Sequence, residues 1–148
     1  MQTITATNYS IYFGSVGYKT LAKMLQPNHY SKIFILVDAN TSEHCLPYFL
    51  ENLETAIEIE IIELEAGEQN KNISTCTEVW SALSELGGDR KSIIINLGGG
   101  VVTDLGGFVA CTFKRGIDFI NIPTTLLAMV DASIGGKNGV DLGNLKLF

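Results

Sequence analysis

Three consecutive glycines at 98–100 join an apolar run to a segment of helical character, and no other stretch restricts the fold of the chain as much. Ile93-Ile94-Ile95-Asn96-Leu97 reads as a buried strand. After the linking residues Val101-Val102-Thr103-Asp104, Leu105-Gly106-Gly107-Phe108-Val109-Ala110 reads as the start of a tightly packed helix. Strand, glycine turn and helix N-terminus together aim bare backbone N–H groups at a single point. The helix dipole adds partial positive charge there. The expected ligand carries phosphate, a nucleotide first of all; the alternative is a tight βα turn that holds nothing.

The rest of the chain repeats the alternation. Ser10 to Phe13 reads as a strand stopped by Gly14, and Tyr18 to Leu25 as a helix ended near Pro27. Ile33 to Val37 is apolar throughout, which suits a central parallel strand covered on both faces. Thr41 or Ser42 is expected to cap the next helix, with Pro47 bending or ending it. Ile57 to Leu64 alternates apolar and acidic residues, the pattern of an edge or half-exposed strand. Ser74 to Leu86 is helical, with Val79, Leu83 and Leu86 on one face, Trp80 beside them and Gly87-Gly88 as its stop. Ile117 to Ile122 is a strand closed by Pro123, and Thr124 is placed to cap a segment from Leu126 to Val130. The predicted fold class is α/β, a Rossmann-like, mainly parallel sheet flanked by helices, as one domain over 1–148.

Composition removes several functions. A formal net charge of −6 argues against a nucleic-acid surface, so an anionic ligand must be met by local lysines and arginines. No apolar run reaches the roughly 18 residues of a membrane span, and Asp104 and Asp131 interrupt the most apolar regions. Met1 to Thr5 shows neither the basic nor the apolar part of a signal peptide. Cys45, Cys76 and Cys111 form no CxxC pair and read as reduced, buried thiols of a cytoplasmic protein. Residues 143–148 follow a loop without a capping element, and the chain is expected to be a piece of something longer.

The residues able to carry chemistry lie after strands. Thr103 stands where a G-x-G-x-x-G fingerprint needs glycine, so the common dinucleotide motif is not met. Asp38, at the end of its strand, suits either a ribose diol or an Asx-turn into Ala39-Asn40. Glu68 and Lys71 stand in a polar loop that either contacts a ligand or is merely solvated. Thr124 and Thr125 follow Pro123 as helix cap or ligand contact. The second glycine-rich turn, Asp131 to Gly139, fails as a P-loop because Asp131 and Asn138 replace its glycine and hydroxyl positions. Its Lys137, and Arg115 before Gly116, are candidate anion ligands or solvated cations. His29 and His44 sit far from the glycine turns, have no partner at metal-ligand spacing and read as structural or surface residues.

Taken together the segments resemble the 3-dehydroquinate synthase family, within the sugar-phosphate cyclases. The resemblance rests on Asp38, Gly67-Glu68-Gln69-Asn70-Lys71, Gly98-Gly99-Gly100-Val101 with Asp104, Lys114-Arg115-Gly116 with Pro123-Thr124-Thr125-Leu126-Leu127, and Val130-Asp131-Ala132-Ser133-Ile134-Gly135-Gly136-Lys137. It covers nearly the whole chain but only the family's N-terminal NAD-binding half. It implies that Asp38, Glu68, Lys71, Gly99, Gly100, Val101, Asp104, Thr124 and Thr125 line an NAD site. It places Asp131, Lys137 and Lys146 near nicotinamide and substrate as catalytic residues. Arg115 would reach the substrate phosphate, that of the neighbouring subunit in a homodimer. A divalent metal, zinc or cobalt, is implied with ligands outside this chain. Thr103, Asp141 and Leu147 depart from the family's usual glycine, asparagine and asparagine.

The implied reaction converts 3-deoxy-D-arabino-heptulosonate 7-phosphate to 3-dehydroquinate and phosphate in the shikimate pathway, with NAD⁺ oxidising a ring hydroxyl transiently. A fragment holding only the nucleotide half is expected to be inactive alone. Two alternatives stand beside it: another cyclase such as 2-deoxy-scyllo-inosose synthase, and a non-catalytic nucleotide-binding domain.

Overall fold

The computed structural model describes residues 3–5, 10–125, 140–142 and 145–147, with side chains over 12–125. Its centre is a four-stranded sheet. Strands β3 (Ile33–Asp38), β4 (Ile59–Leu64), β5 (Ile93–Gly98) and β6 (Asp118–Pro123) are all parallel, in the order β4-β3-β5-β6. Two antiparallel hairpins, β1 (Thr3–Thr5) with β2 (Ser10–Tyr12) and β7 (Val140–Leu142) with β8 (Leu145–Leu147), stand outside it. The helices are α1 (Gly14–Met24), α2 (Ala39–His44), α3 (Leu46–Asn52), α4 (Ile73–Glu85) and α5 (Gly100–Thr112).

Alternation along the strands sorts the core into two layers. Phe34 and Leu36 of β3 and Ile94 of β5 pack with Cys76, Val79 and Leu83 of α4 and Val102, Leu105 and Val109 of α5. Ile33, Ile35, Val37, Ile93, Ile95 and Leu97 face the other way, onto Leu21 and Leu25 at α1 and Leu46 and Phe49 of α3. β5 is buried along its whole length. The apolar runs thus become the covered central strands, and β4, with Glu63 and Ile61 exposed, is the sheet edge its acidic alternation predicts.

Helix starts are where the structure departs from expectation. α1 begins at Gly14, four residues earlier than the apolar spacing suggests, directly after the strand that Gly14 stops. The cap of α2 is Asp38, not Thr41 or Ser42: its carboxylate accepts from the Thr41 backbone, and the Thr41 hydroxyl takes the Asp38 N–H, completing a capping box. The helical stretch breaks at Cys45, just before Pro47, as expected; Pro47 then occupies the first turn of α3, where its missing N–H costs nothing. α4 ends as predicted, Gly87 at φ 85° and the Gly88 N–H on Leu83 O at 2.7 Å closing a Schellman motif. The capped segment expected at Leu126 to Val130 lies outside the described residues.

Candidate functional site

The order β4-β3-β5-β6 puts a topological switch between β3 and β5. One crossover leaves β3 toward β4 and the next returns past it, so a crevice opens at the carboxyl ends of β3 and β5, where open α/β sheets bind ligands. The residues there are Asp38, which ends β3, and Gly98, which ends β5.

Gly99 is the N-cap of α5 and no side chain caps that helix. The first intrahelical bond is Thr103 N–H to Gly99 O at 3.0 Å, so the amides of Gly100, Val101 and Val102 precede the helical ladder. Thr103 is fully buried, and its hydroxyl donates to Gly99 O at 3.1 Å. A glycine is unnecessary at that position because its side chain turns inward to brace the turn. A Cβ added to Gly99 would stand 3.1 Å from Thr125 Cγ2, so the turn packs closely on the segment after β6. There the Thr124 N–H donates to Gly98 O at 3.0 Å.

On the α4–α5 side, Glu68 and Lys71 come from a short 3-10 turn between β4 and α4. Asn70 ties that turn down through Ala66 O at 3.0 Å, and Asn72 caps α4 by accepting from the Thr75 backbone at 2.9 Å. Lys71 is 8% exposed. Its Nζ donates to Asp104 Oδ2 at 2.9 Å and lies 3.8 Å from Glu68 Oε1, so three residues from two separate sequence blocks meet beside α5, one turn in from its N-terminus. The loop is therefore not merely solvated. Asp38 is half-buried, and among the described residues its side-chain bonds, to Thr41 N at 2.9 Å and Thr41 Oγ1 at 3.3 Å, both use Oδ1.

Arg115 is elsewhere. It stands before β6, at the amino ends of the strands, about 20 Å along a six-residue strand from the glycine turn. Lys114 and Arg115 adopt φ 47° and 71°, sparsely populated for non-glycine residues, and both are exposed, with the Lys114 ammonium 5.6 Å from the centre of the Phe113 ring. Asp131 and Lys137 lie outside the described residues. Lys146 belongs to β8, paired with Asp141, and β7 of that hairpin contacts α4 and α5.

Sequence reading missed one feature of this edge. A cleft of about 270 Å³ on the α1–α3 side is lined by Tyr18, His44, Cys45, Tyr48, Phe49 and Thr124 among others. His44 is thus a neighbour of the residues after β6 rather than remote from them. Helical spacing marked none of these as a group, since they come from three helices and the segment after β6. The thiols also differ from expectation: Cys76 is buried, Cys45 half-buried and Cys111 exposed. Among the described residues no group of three or more metal-ligating side chains occurs, and no helix is long and apolar enough to cross a membrane.

The chain is similar to 3-dehydroquinate synthase of Parabacteroides distasonis, 48% identical over 126 residues, which are 85% of this chain and 35% of that protein. It therefore spans about a third of the length of that curated relative. A solved 2-deoxy-scyllo-inosose synthase shares the fold, with a TM-score of 0.85 at 24% identity over 99% of this chain and 41% of its own. A 2-epi-5-epi-valiolone synthase from Streptomyces hygroscopicus, solved with NAD⁺ and Zn²⁺ bound, superposes with a TM-score of 0.66 at 30% identity, covering 82% of this chain and 36% of its own. Residues 61–147, which include the glycine turn, the Lys71–Asp104 pair and both threonines, match the 3-dehydroquinate synthase N-terminal family, and the chain belongs to that family.

Proposed function

We propose that this chain is the NAD-binding portion of a 3-dehydroquinate synthase. The observation that carries the reading is the convergence at one switch point of Asp38, the uncapped amides after Gly99 and the buried Lys71–Asp104 pair. A free helix N-terminus beside a fixed ammonium fits a pyrophosphate, and a carboxylate with one oxygen committed to a cap fits a ribose diol with the other. When bound, NAD⁺ supplies a hydride acceptor that later returns the hydride.

The chain's own residues then have distinct tasks. The Gly100 and Val101 amides meet phosphate oxygens, and Gly99 allows the backbone to come close to them. Asp104 holds the Lys71 ammonium at the α5 terminus, so positive charge is in place before a ligand arrives and needs no reorganisation. Thr124 and Thr125 border the turn with hydroxyls. Asp131, Lys137 and Lys146 serve the nicotinamide and the substrate. Arg115, a strand's length away, reaches the phosphate of a substrate bound in the neighbouring subunit of a homodimer. The metal is proposed to be zinc or cobalt, held by ligands outside this chain. The small-molecule substrate is 3-deoxy-D-arabino-heptulosonate 7-phosphate and the setting cytoplasmic.

Sequence favours this over a different cyclase. The synthase relative is 48% identical, whereas the 2-deoxy-scyllo-inosose synthase, at 24%, shares the fold. The test is a chimera in which this chain replaces the matching part of the Parabacteroides distasonis synthase. Phosphate release from the heptulosonate phosphate is expected, with loss of that release on Arg115→Ala. A folded chimera that binds NAD⁺ and releases none would contradict the proposal.

A further inference from the structure

Asn96 is a fully buried amide in the most buried strand of the sheet, and its surroundings tie three elements together. Its Nδ2 donates to Asn121 Oδ1 at 3.0 Å, between paired positions of β5 and β6. Among the described residues its Oδ1 has no hydrogen-bond donor. That oxygen lies against Gly106 of α5 so closely that a Cβ added to Gly106 would overlap the amide. An oxygen in that position can take a weak Cα–H contact from glycine, whereas an NH₂ would find nothing. The carboxamide is therefore wedged, held by β6 on one side and by bare helix backbone on the other.

The three elements so joined are those that build the cofactor turn. Two residues beyond Asn96, β5 ends at Gly98, paired with Pro123 of β6, and the Thr124 N–H bonds back to Gly98 O. Gly106 stands in the same helix whose first turn presents the Gly100 and Val101 amides. One side chain thus bridges β5 to β6 two residues before the turn and meets the backbone of α5 where it crosses the sheet.

We infer that Asn96 is a positioning residue for the cofactor turn, locking β6 through Asn121 and α5 through Gly106; what the turn holds rests on the NAD reading above. The Asn96–Gly106 contact predicts reciprocal rescue. By helix propensity alone, Gly106→Ala would raise Tm by roughly 3 °C. Overlap with the amide instead lowers it by roughly 5 °C. The double variant Asn96→Ala/Gly106→Ala removes the overlap and regains most of that loss.

The experiment uses the whole chain and three readouts: Tm, the backbone amide chemical shifts of Gly99, Gly100 and Thr124, and NAD⁺ affinity by calorimetry. Asn96→Ala and Asn121→Ala are each expected to shift those three amides and to weaken NAD⁺ about tenfold. Gly106→Ala does the same, and the double variant regains Tm over Gly106→Ala while its amide shifts and NAD⁺ affinity stay those of Asn96→Ala. A neutral or stabilising Gly106→Ala overturns the inference. So does an Asn96→Ala that lowers Tm while leaving the three amides in place, because the amide would then be core filling alone. If the unaltered chain binds no NAD⁺, the cofactor reading fails separately, and the amide shifts still decide whether Asn96 positions the turn.

Discussion

Lys71 and Asp104, 33 residues apart in sequence, meet at 2.9 Å between Nζ and Oδ2 at the start of α5. The side chains are 9% and 20% exposed, so water screens the pair poorly, and losing one partner leaves the other in surroundings that disfavour a lone charge. Lys71 is the more deeply buried. Asp104→Ala therefore costs more stability than Lys71→Met, about 2 kcal/mol against about 1, both below the values for fully buried pairs because Asp104 keeps some solvent. The double variant Lys71→Met/Asp104→Ala loses less than the two single losses together. Urea unfolding of the four proteins measures this; additive losses would mean that the two groups do not interact.

The thiols separate by environment. Burial pushes the Cys76 thiol up to about 11, so at pH 8 only about one in a thousand is thiolate. Cys111 is exposed. With a chromogenic disulfide reagent, Cys111 is expected to react first, Cys45 more slowly and Cys76 only at the rate of unfolding. Cys76 labelling faster than unfolding would show α4 loosely docked.

Tyr30 donates to Asp118 Oδ2 at 2.7 Å, and burial, with that hydrogen bond and the carboxylate charge, pushes its phenol up to about 12. A raised folded-state value means that the folded chain keeps the proton longer than the unfolded one. The stabilisation is thus whole below about 10, the ordinary tyrosine value, and is lost as pH climbs through about 12. Ultraviolet titration should show one tyrosine ionising only near pH 12, and Tyr30→Phe should abolish that step. A Tyr30→Phe variant with an unchanged titration curve would place the late phenol elsewhere.

The sheet was legible in the chain because its strands are extreme. Ile33 to Val37 and Ile93 to Leu97 are apolar on both faces, and only a doubly covered central position suits them. Helix starts were harder to read. The place of Asp38 at a strand end suits a ribose diol or an Asx-turn alike, and its Oδ1 caps α2, a local role that depends on the backbone turning at that residue. Of the candidate site, Glu68, Lys71 and Asp104 could be nominated singly, but their meeting depends on α4 and α5 lying side by side. The Asn96–Asn121 pair left no trace in the sequence, since a polar residue within an apolar run carries no label for its partner.

Whether the turn after β5 cradles NAD⁺ is tested most directly by calorimetric titration of NAD⁺ into the folded chain. Saturable one-site binding is expected, weakened at least about tenfold by Gly99→Val. The valine side chain would enter both the ligand's space and that of Thr125, whose Cγ2 would lie 3.1 Å from the new Cβ. Absence of binding by a chain that unfolds cooperatively, or equal binding by Gly99→Val, would contradict the cradle.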